Sequence, residues 1–265
     1  MPVLRVRFAR RRATVTTLVA ALLATLGCAS GDNGITALAE LSTAQFGVPS
    51  GTVADQLVLS RFPLATLRYY PTVADAVQGV KQGEVLAAAY DEPILRNLAA
   101  KDGTLRVLSE PITMDQYGFA FRLGNTALKS SFDSLVAEAR SSGLYLQMMN
   151  RWLPARGAPA AMPTIAAGTG AVLRFGTAPV TEPFSFKDGT GTIVGFDVEL
   201  ARRLALRLGR RLEIVEMNFG DLINAVATGQ VDLVGACITI TTARSQLVLF
   251  SDSYYTGGIS ALVRK

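Results

Sequence analysis

Arg244 has a residue type and a setting that suggest ligand chemistry. It lies three residues after Thr241 in the segment TITTAR, where a strand is predicted to turn into a helix. A guanidinium offers a forked pair of donors that matches a carboxylate, and the amides at a helix start also favour an anion. The sequence therefore predicts a carboxylate-binding site at Arg244.

Asp91 offers the opposite charge. It ends a predicted buried strand in the segment AAYDEP, and strand ends border the ligand cleft of open α/β sheets. A carboxylate in that position is a natural partner for an ammonium group. The alternative is a structural role as the N-cap of the helix that begins near Pro93, since Asp is favoured at N-caps.

A third segment, SGTV, comprises residues Ser50, Gly51, Thr52 and Val53 and precedes a predicted helix. Gly51 permits a close approach of the main chain, and helix-start amides attract anions. This segment is either part of an anion site or an ordinary turn between a strand and a helix.

Alternating strand and helix patterns must position these residues. Before residue 154 the strand patterns are 44–48, 66–70, 85–90 and 117–122, and the helix patterns are 53–61, 73–81, 93–100, 126–142 and 144–153. After residue 172 the strand patterns are 173–176, 212–216, 231–235 and 259–263, and the helix patterns are 198–208 and 221–228. Such alternation predicts an α/β fold with two largely parallel sheets and a ligand cleft between two lobes.

The segment from Pro154 to Gly170 has no apolar period and is rich in Ala, Pro and Gly, which is typical of a linker. It divides the chain after the signal in two, and the whole chain has five predicted parts. These are a signal peptide (1–30), one lobe (31–122), two helices (123–153), the linker (154–172) and a second lobe (173–265).

The first 30 residues have the layout of an export signal, with five arginines followed by an apolar run and small residues. Lysine plus arginine number 26 in the whole chain and 21 without the signal, which equals the 21 acidic residues. The excess of positive charge therefore belongs to the signal and predicts no nucleic-acid partner.

Cys28 lies where a lipoprotein signal places its acylated cysteine, and we expect lipidation there; the alternative is cleavage after Ala29. Cys237 is then left without a disulfide partner. The chain has no histidine and its two cysteines are far apart, so we expect no metal site. It also has no Gly-rich phosphate-binding loop, and we expect no cofactor.

From Leu173 on, the motifs EPFSF, GFDVEL, VDLVGACITIT-x-x-R and FSDSYY resemble the first lobe of the family 3 bacterial extracellular solute-binding proteins. Residues 35–153 resemble the second lobe of that family more loosely, through SGT, YDEP, QYGFAF and NRWL. The resemblance implies a two-lobed periplasmic-binding-protein fold of type 2 whose lobes stand in circularly permuted order. It also implies one remaining hinge strand, near residues 121–124.

The resemblance further implies that the protein binds an amino acid or a close analogue for an ABC importer. Arg244 and Thr239 would bind the ligand carboxylate together with the amides of residues 50–53, and Asp91 would bind the ammonium. Main-chain groups of Ala236 and Cys237, and side chains of Phe219, Thr181 and Tyr90, would line the pocket. Thr181 departs from the aromatic residue frequent at its position, and Ala178 departs from an acid found in several relatives.

The resemblance also implies a partner and a location. We expect a monomer outside the cytoplasm, in the periplasm or on the outer face of the membrane, that delivers its ligand to an ABC permease. Three alternatives remain open at this point. These are an exported cyclohexadienyl or arogenate dehydratase-like enzyme using Glu182 or Glu92, a sensor module, and a lobe-swapped dimer.

Overall fold

The structure, a computed structural model, describes residues 1–2, 34–154 and 159–265. The predicted signal peptide, including Cys28, lies outside these residues apart from its first two positions, and so do residues 155–158 of the predicted linker. None of the described helices is long and apolar enough to span a bilayer.

The part of the chain before residue 155 begins with a 3-10 helix, Leu38–Leu41. Its strands are β1 Gln45–Pro49, β2 Thr66–Tyr70, β3 Ala87–Asp91, β4 Leu105–Val107, β5 Asp115–Tyr117 and β6 Ala120–Arg122. Its helices are α1 Ala54–Arg61, α2 Val73–Gln82, α3 Glu92–Ala100, α4 Thr126–Ser141 and α5 Leu144–Trp152. Each predicted helix has an observed counterpart, whereas the predicted strand 117–122 is divided between β5 and β6.

The part after the linker contributes strands β7 Gly170–Thr177, β8 Val180–Thr181, β9 Ser185–Lys187, β10 Ile193–Val194, β11 Arg210–Glu216, β12 Leu233–Val234, β13 Val248–Phe250, β14 Tyr255–Gly257 and β15 Ile259–Arg264. Its helices are α6 Phe196–Arg207, α7 Leu222–Ala227 and α8 Thr242–Ser245, with a 3-10 turn at Phe219–Asp221. The strand β7 begins inside the predicted linker. The sequence patterns did not predict the short strands β4, β8, β9, β10, β13 and β14.

Helix α2 illustrates how local sequence sets an element. The Thr72 hydroxyl accepts a hydrogen bond from the Asp75 amide, and the Asp75 carboxylate accepts one from the Thr72 amide, so the helix starts with a capping box. Gly83 ends the helix with φ 76°, a left-handed conformation that glycine adopts without a Cβ penalty. The apolar side chains between these caps recur at helical spacing and are buried against strands β1 and β3.

Two five-stranded sheets have equivalent strand orders. Sheet A runs β2-β1-β3-β15-β4, and sheet B runs β11-β7-β12-β6-β13. In each sheet the first three strands are parallel and the fourth is antiparallel to its neighbours. We call sheet A with helices α1–α3 lobe A, and sheet B with helices α4–α8 lobe B.

The fourth strand of each sheet comes from the other half of the chain. Strand β6, which precedes the linker, pairs with β12 and β13 in sheet B, and β15 pairs with β3 and β4 in sheet A. The prediction that residues 259–263 belong to the second lobe is therefore wrong, because β15 pairs with β3 and β4 in sheet A. The other predicted lobe boundaries stay predictions.

Both passages between the lobes run through one antiparallel ribbon, in which Tyr117 of β5 pairs with Tyr255 of β14. The chain enters lobe B through β5 and β6 and returns to lobe A through β14 and β15. The prediction of a single hinge strand near residues 121–124 is wrong for this reason. Residues 120–122 lie within sheet B, and two strands cross between the lobes.

A buried carboxylate joins the helices of lobe B. Glu199 of α6 is fully buried and accepts hydrogen bonds from Arg151 at 2.9 Å, from the Trp152 indole at 2.7 Å and from Arg203 at 2.6 Å. Arg151 and Trp152 end α5, so these bonds fix α5 on α6. Phe132 of α4 packs against Phe119, with ring centroids 4.3 Å apart.

Residues 34 and 265 lie side by side at the edge of lobe A. A Cβ built on Gly34 would lie 2.7 Å from the carbonyl carbon of Lys265. The Lys265 amide donates to the Thr104 carbonyl at 2.8 Å, and Arg106 donates to the Ile35 carbonyl. The end of β15 is thus adjacent to the first described residues of lobe A.

Candidate functional site

Asp91 is directed into the protein and does not cap its helix. It occupies the N-cap position of α3 without a capping bond from its side chain. Its carboxylate instead accepts a hydrogen bond of 2.5 Å from the Tyr117 hydroxyl, and the residue is 3% exposed. This geometry removes the support for the alternative role as a helix cap.

Arg244 lies on the opposite lobe, in the short helix α8. Thr241 caps that helix by accepting a bond from the Arg244 amide at 3.2 Å. The guanidinium donates to the Thr239 carbonyl at 3.0 Å and lies 5.8 Å from the centre of the Phe219 ring. One hydrogen bond leaves most of its five donors available for an anion.

The SGTV segment presents main-chain donors from lobe A. The Ser50 amide donates to the Tyr70 carbonyl at 2.9 Å, and the Thr52 hydroxyl donates to the Pro49 carbonyl at 2.9 Å. Among the described residues, no carbonyl accepts from the amides of Gly51, Thr52 or Val53. These three amides precede α1 and are suited to an anion.

The SGTV segment and Arg244 meet across one cavity. This cavity of about 160 Å³ is lined by Gly51 of lobe A and by Phe219, Gly220, Leu222, Ile223, Ile238 and Arg244 of lobe B. Gly51 has φ 75°, and a Cβ at this position would lie 3.2 Å from the Cα of Gly220. The main chains of the two lobes are thus in close contact beside Arg244, where both predicted carboxylate-binding groups are found.

The charges of Asp91 and Arg244 act on each other. Burial raises the pKa of Asp91 to about 7, while the Tyr117 hydrogen bond and the Arg244 charge oppose that rise. Burial lowers the pKa of Arg244, and the negative charge of Asp91 opposes this change. A zwitterion placed between them would supply the counter-charge that each group lacks.

Two of the predicted pocket residues, Thr181 and Cys237, have polar groups that form hydrogen bonds within the protein. Thr181 is fully buried, and its hydroxyl lies 3.4 Å from the Ala178 carbonyl and 3.3 Å from the Ser185 carbonyl. The Cys237 amide donates to Asp197 at 2.8 Å, so it is unavailable to a ligand. The expected main-chain contacts of Cys237 stay a prediction for its carbonyl group, and the Thr181 side chain is turned into its own loop.

Ala236 and Tyr90 remain within the surroundings of the site. Both are buried, Tyr90 next to Asp91 on β3 and Ala236 next to Cys237. Burial raises the pKa of Tyr90 well above its usual value, and the neighbouring charges of Asp91 and Arg244 also act on it. Tyr90 therefore lies within electrostatic reach of both Asp91 and Arg244.

Two acidic residues considered for catalysis form ion pairs. Glu182 binds Lys101 of lobe A at 2.6 Å, and Glu92 pairs with Arg96 on the same helix. Within residues 34–154 and 159–265, no three His, Cys, Asp or Glu side chains are grouped so that they could hold a metal ion.

Sequence reasoning missed Tyr117 and Asp197. The sequence places Tyr117 in the predicted strand 117–122 and in QYGFAF but predicts no role for it, yet it is fully buried and donates a hydrogen bond to Asp91. Asp197, in GFDVEL, is fully buried at the start of α6, and burial raises its pKa to about 7. The signal that could have found both is a polar residue embedded in an otherwise apolar run.

Residues 173–265 match the family described as bacterial extracellular solute-binding proteins, family 3. The arginine-binding extracellular protein ArtP of Bacillus subtilis is 44% identical over 93 residues, which are 35% of this chain and 36% of that protein. The histidine-binding periplasmic protein of Escherichia coli K12 is 32% identical over 93 residues, which are 35% of this chain and 36% of that protein.

A solved structure, the arginine-bound form of domain 1 from TmArgBP, is 40% identical and covers 36% of this chain and 81% of that chain. Its TM-score is 0.32, which by itself establishes no shared fold. The present chain spans about a third of the length of the curated relatives that it matches. The similarity to the bacterial extracellular solute-binding proteins, family 3, is shown for residues 173–265 of this chain.

Proposed function

We propose that the protein is the substrate-binding component of an ABC-type importer and binds an amino acid or a close analogue between its lobes. The observation that carries this proposal is the cavity shared by Arg244 and Gly51, with Asp91 within electrostatic reach of Arg244. Arg244 and the amides of Gly51, Thr52 and Val53 bind the carboxylate. Asp91 binds the ammonium.

Ligand binding favours the closed arrangement of the lobes. The donors for the carboxylate come from both lobes, so a ligand makes all of these contacts only when Gly51 lies against Gly220. The two strands of the β5–β14 ribbon are the places where the chain can bend. Closure is then the state that a membrane permease recognises.

The relatives support this proposal through their names. They are named as arginine-, histidine- and lysine/arginine/ornithine-binding proteins, and several are called extracellular or periplasmic. None of these names describes an enzyme. For the present chain we propose a binding protein without catalytic activity, outside the cytoplasm, monomeric, and anchored by a lipid at Cys28.

The circular permutation also belongs to the proposal. Gly34 and Lys265 are adjacent, so joining them and cutting the linker would give an uninterrupted chain with lobe B before lobe A. The equivalent strand orders of sheets A and B are compatible with either order of the lobes. A new linker on the surface costs little when the joined ends already lie close together.

The proposed function is tested by thermal unfolding of the protein with each of the twenty amino acids, repeated with Arg244→Ala. A ligand that binds only the folded state raises the melting temperature. We expect one or a few amino acids to raise it in the wild type and not in Arg244→Ala. Arg211→Ala, an exposed arginine of the same lobe, serves as the control and should keep the shift.

Two results would contradict the proposal. One is the absence of a shift with every amino acid, and the other is an undiminished shift in Arg244→Ala. Sedimentation of the same sample tests the monomer, since a lobe-swapped dimer would have twice the mass.

A further inference from the structure

Asp197, the second residue of helix α6, holds a turn that leads into the proposed ligand site. Its carboxylate accepts a hydrogen bond of 2.8 Å from the Cys237 amide, and both residues are buried. Cys237 has φ 59° and is the one non-glycine residue with a positive φ in the described part of the chain. A residue with a Cβ is strained in this conformation and keeps it where surrounding contacts fix it. The bond to Asp197 is such a contact.

The chain continues from this turn to the carboxylate-binding groups. Thr239, which follows the turn, forms an antiparallel bridge with Tyr117 of β5, one of the two strands that cross between the lobes. The Thr239 carbonyl accepts a hydrogen bond of 3.0 Å from the Arg244 guanidinium. The direction of the main chain at Cys237 therefore determines where Thr239 lies, and Thr239 in turn orients Arg244.

The two buried acids of α6 are directed to different parts of lobe B. The second carboxylate oxygen of Asp197 has no hydrogen-bond partner among the described residues, and the neighbouring Tyr254 hydroxyl is unbonded as well. Glu199 instead accepts bonds from Arg151 and Trp152 of α5. Glu199 thus joins two helices, whereas the bond of Asp197 goes to the turn beside the site.

We propose that Asp197 is a positioning residue, which fixes the turn at Cys237 and thereby keeps Arg244 in the arrangement that binds a carboxylate. It acts through the main chain and does not touch the ligand. This inference rests on the proposed function and adds to the site a residue from the interior of lobe B. The competing role is structural, because an acid in the first turn also stabilises a helix through its dipole.

The first test is titration calorimetry of Asp197→Ala and Asp197→Asn with those of the twenty amino acids that raise the melting temperature of the wild type. Asp197→Ala leaves the Cys237 amide without its acceptor, so the turn is correctly folded in a smaller fraction of molecules and the apparent affinity falls by that fraction. We expect binding to weaken about tenfold to a hundredfold, the equivalent of one lost buried hydrogen bond. Asp197→Asn retains an acceptor oxygen and should change the affinity by less than about threefold.

Glu199→Gln is the matched control, because it changes the other buried acid of the same helix. The protein should unfold at a lower urea concentration, but its affinity should stay within about threefold of the wild type, since Glu199 does not bind the turn. If Asp197→Ala is destabilised in the same way and keeps its affinity, Asp197 only stabilises α6 and the inference is overturned.

The second test requires no ligand and follows the turn directly. The chain has two cysteines, so Cys28→Ser leaves Cys237 as its one thiol. Burial raises the pKa of that thiol well above its usual value, so the Cys28→Ser protein should react slowly with iodoacetamide. Adding Asp197→Ala should make the reaction at least about tenfold faster, because the turn opens while the protein stays folded. Asp197→Asn removes the same charge but keeps the acceptor, so it shows the effect of the charge alone and should react slowly.

Equal labelling rates in Asp197→Ala and Asp197→Asn would overturn the inference. If Asp197→Ala does not fold, Asp197→Ser replaces it in both tests, since a serine hydroxyl lies one bond closer to the main chain than the carboxylate oxygens. If no amino acid binds the wild type, the proposed function fails, while the labelling test still decides whether Asp197 fixes the turn.

Discussion

The two lobes share a strand order, but they contribute to the site in different ways. Lobe B presents the side chain of Arg244 from a capped helix, whereas the SGTV segment of lobe A presents main-chain amides beside Gly51. The family match covers residues 173–265, most of which form lobe B. Almost any residue type can supply a main-chain donor, so such a donor cannot be identified from the residue types in the sequence.

The interiors of the lobes differ as well. Lobe B buries Glu199 and Asp197 at the start of α6, and both carboxylates accept hydrogen bonds from protein groups. In lobe A, among the described residues, the buried acid is Asp91, which faces the site. The buried acids of lobe B are therefore bonded within that lobe, whereas the buried acid of lobe A is the proposed partner of the ligand ammonium.

The largest expected effect is a loss of stability, and it tests this difference between the interiors of the lobes. Glu199→Ala would leave Arg151, Trp152 and Arg203 without their buried acceptor, and breaking such a network costs about 3–5 kcal/mol. Urea unfolding measures the loss. In lobe A, Glu110→Ala removes only the exposed pair with Arg61 and should cost less than about 1 kcal/mol. Equal losses would contradict the contrast between the lobes.

The next effect concerns pH. Burial raises the pKa of Asp91 to about 7, whereas the unfolded value is about 3.9, so the native ligand-free protein holds this proton more tightly. Its contribution to the free energy of unfolding therefore decreases as pH rises from about 4 to about 7 and is constant above. Ligand binding shows the opposite trend, because the ammonium needs the ionised carboxylate.

Ligand affinity should consequently fall below about pH 7, by up to about tenfold per pH unit. Titration calorimetry between pH 5 and pH 8 measures this slope. Asp91→Asn should bind weakly with a much flatter profile, since the guanidinium of Arg244 does not titrate in this range. An unchanged slope in Asp91→Asn would show that another group is responsible.

The smallest effect tests whether lobe A acts through its main chain. Gly51→Val introduces a β-branched side chain at φ 75° and only 3.2 Å from Gly220, which strains the turn and obstructs closure. We expect a loss of ligand affinity of at least about tenfold. Ser50→Ala, at an exposed neighbour, should stay within about threefold, and an equal loss there would mean that side chains of lobe A bind the ligand.

Much of the secondary structure could be predicted because it is encoded locally. The helical spacing of apolar residues located α2, α4 and α6, and buried apolar runs located β3 and β7. The short strands β8, β9 and β10 were missed because two or three residues carry too little periodicity. Their partners are set by tertiary pairing.

The same distinction between local sequence signals and long-range contacts applies to the candidate site. The charge and setting of Arg244 and Asp91 could be recognised from the sequence, and the structure places them on different lobes within electrostatic reach. The loss of the Cys237 amide to Asp197 could not be foreseen, because these residues are 40 positions apart. The contact of Tyr117 with Asp91 could not be predicted for the same reason, since these residues are also distant in the sequence.

The sequence by itself determined the α/β class, the residue types suited to a zwitterion and the family resemblance of residues 173–265. Only the tertiary structure decided that β6 and β15 are exchanged between the sheets, that two strands cross between the lobes, and that Asp197 binds the Cys237 amide. The physical reason is the separation along the chain of the residues that interact. Periodicity and capping act within a few residues, whereas strand pairing and burial join residues from both halves of the chain.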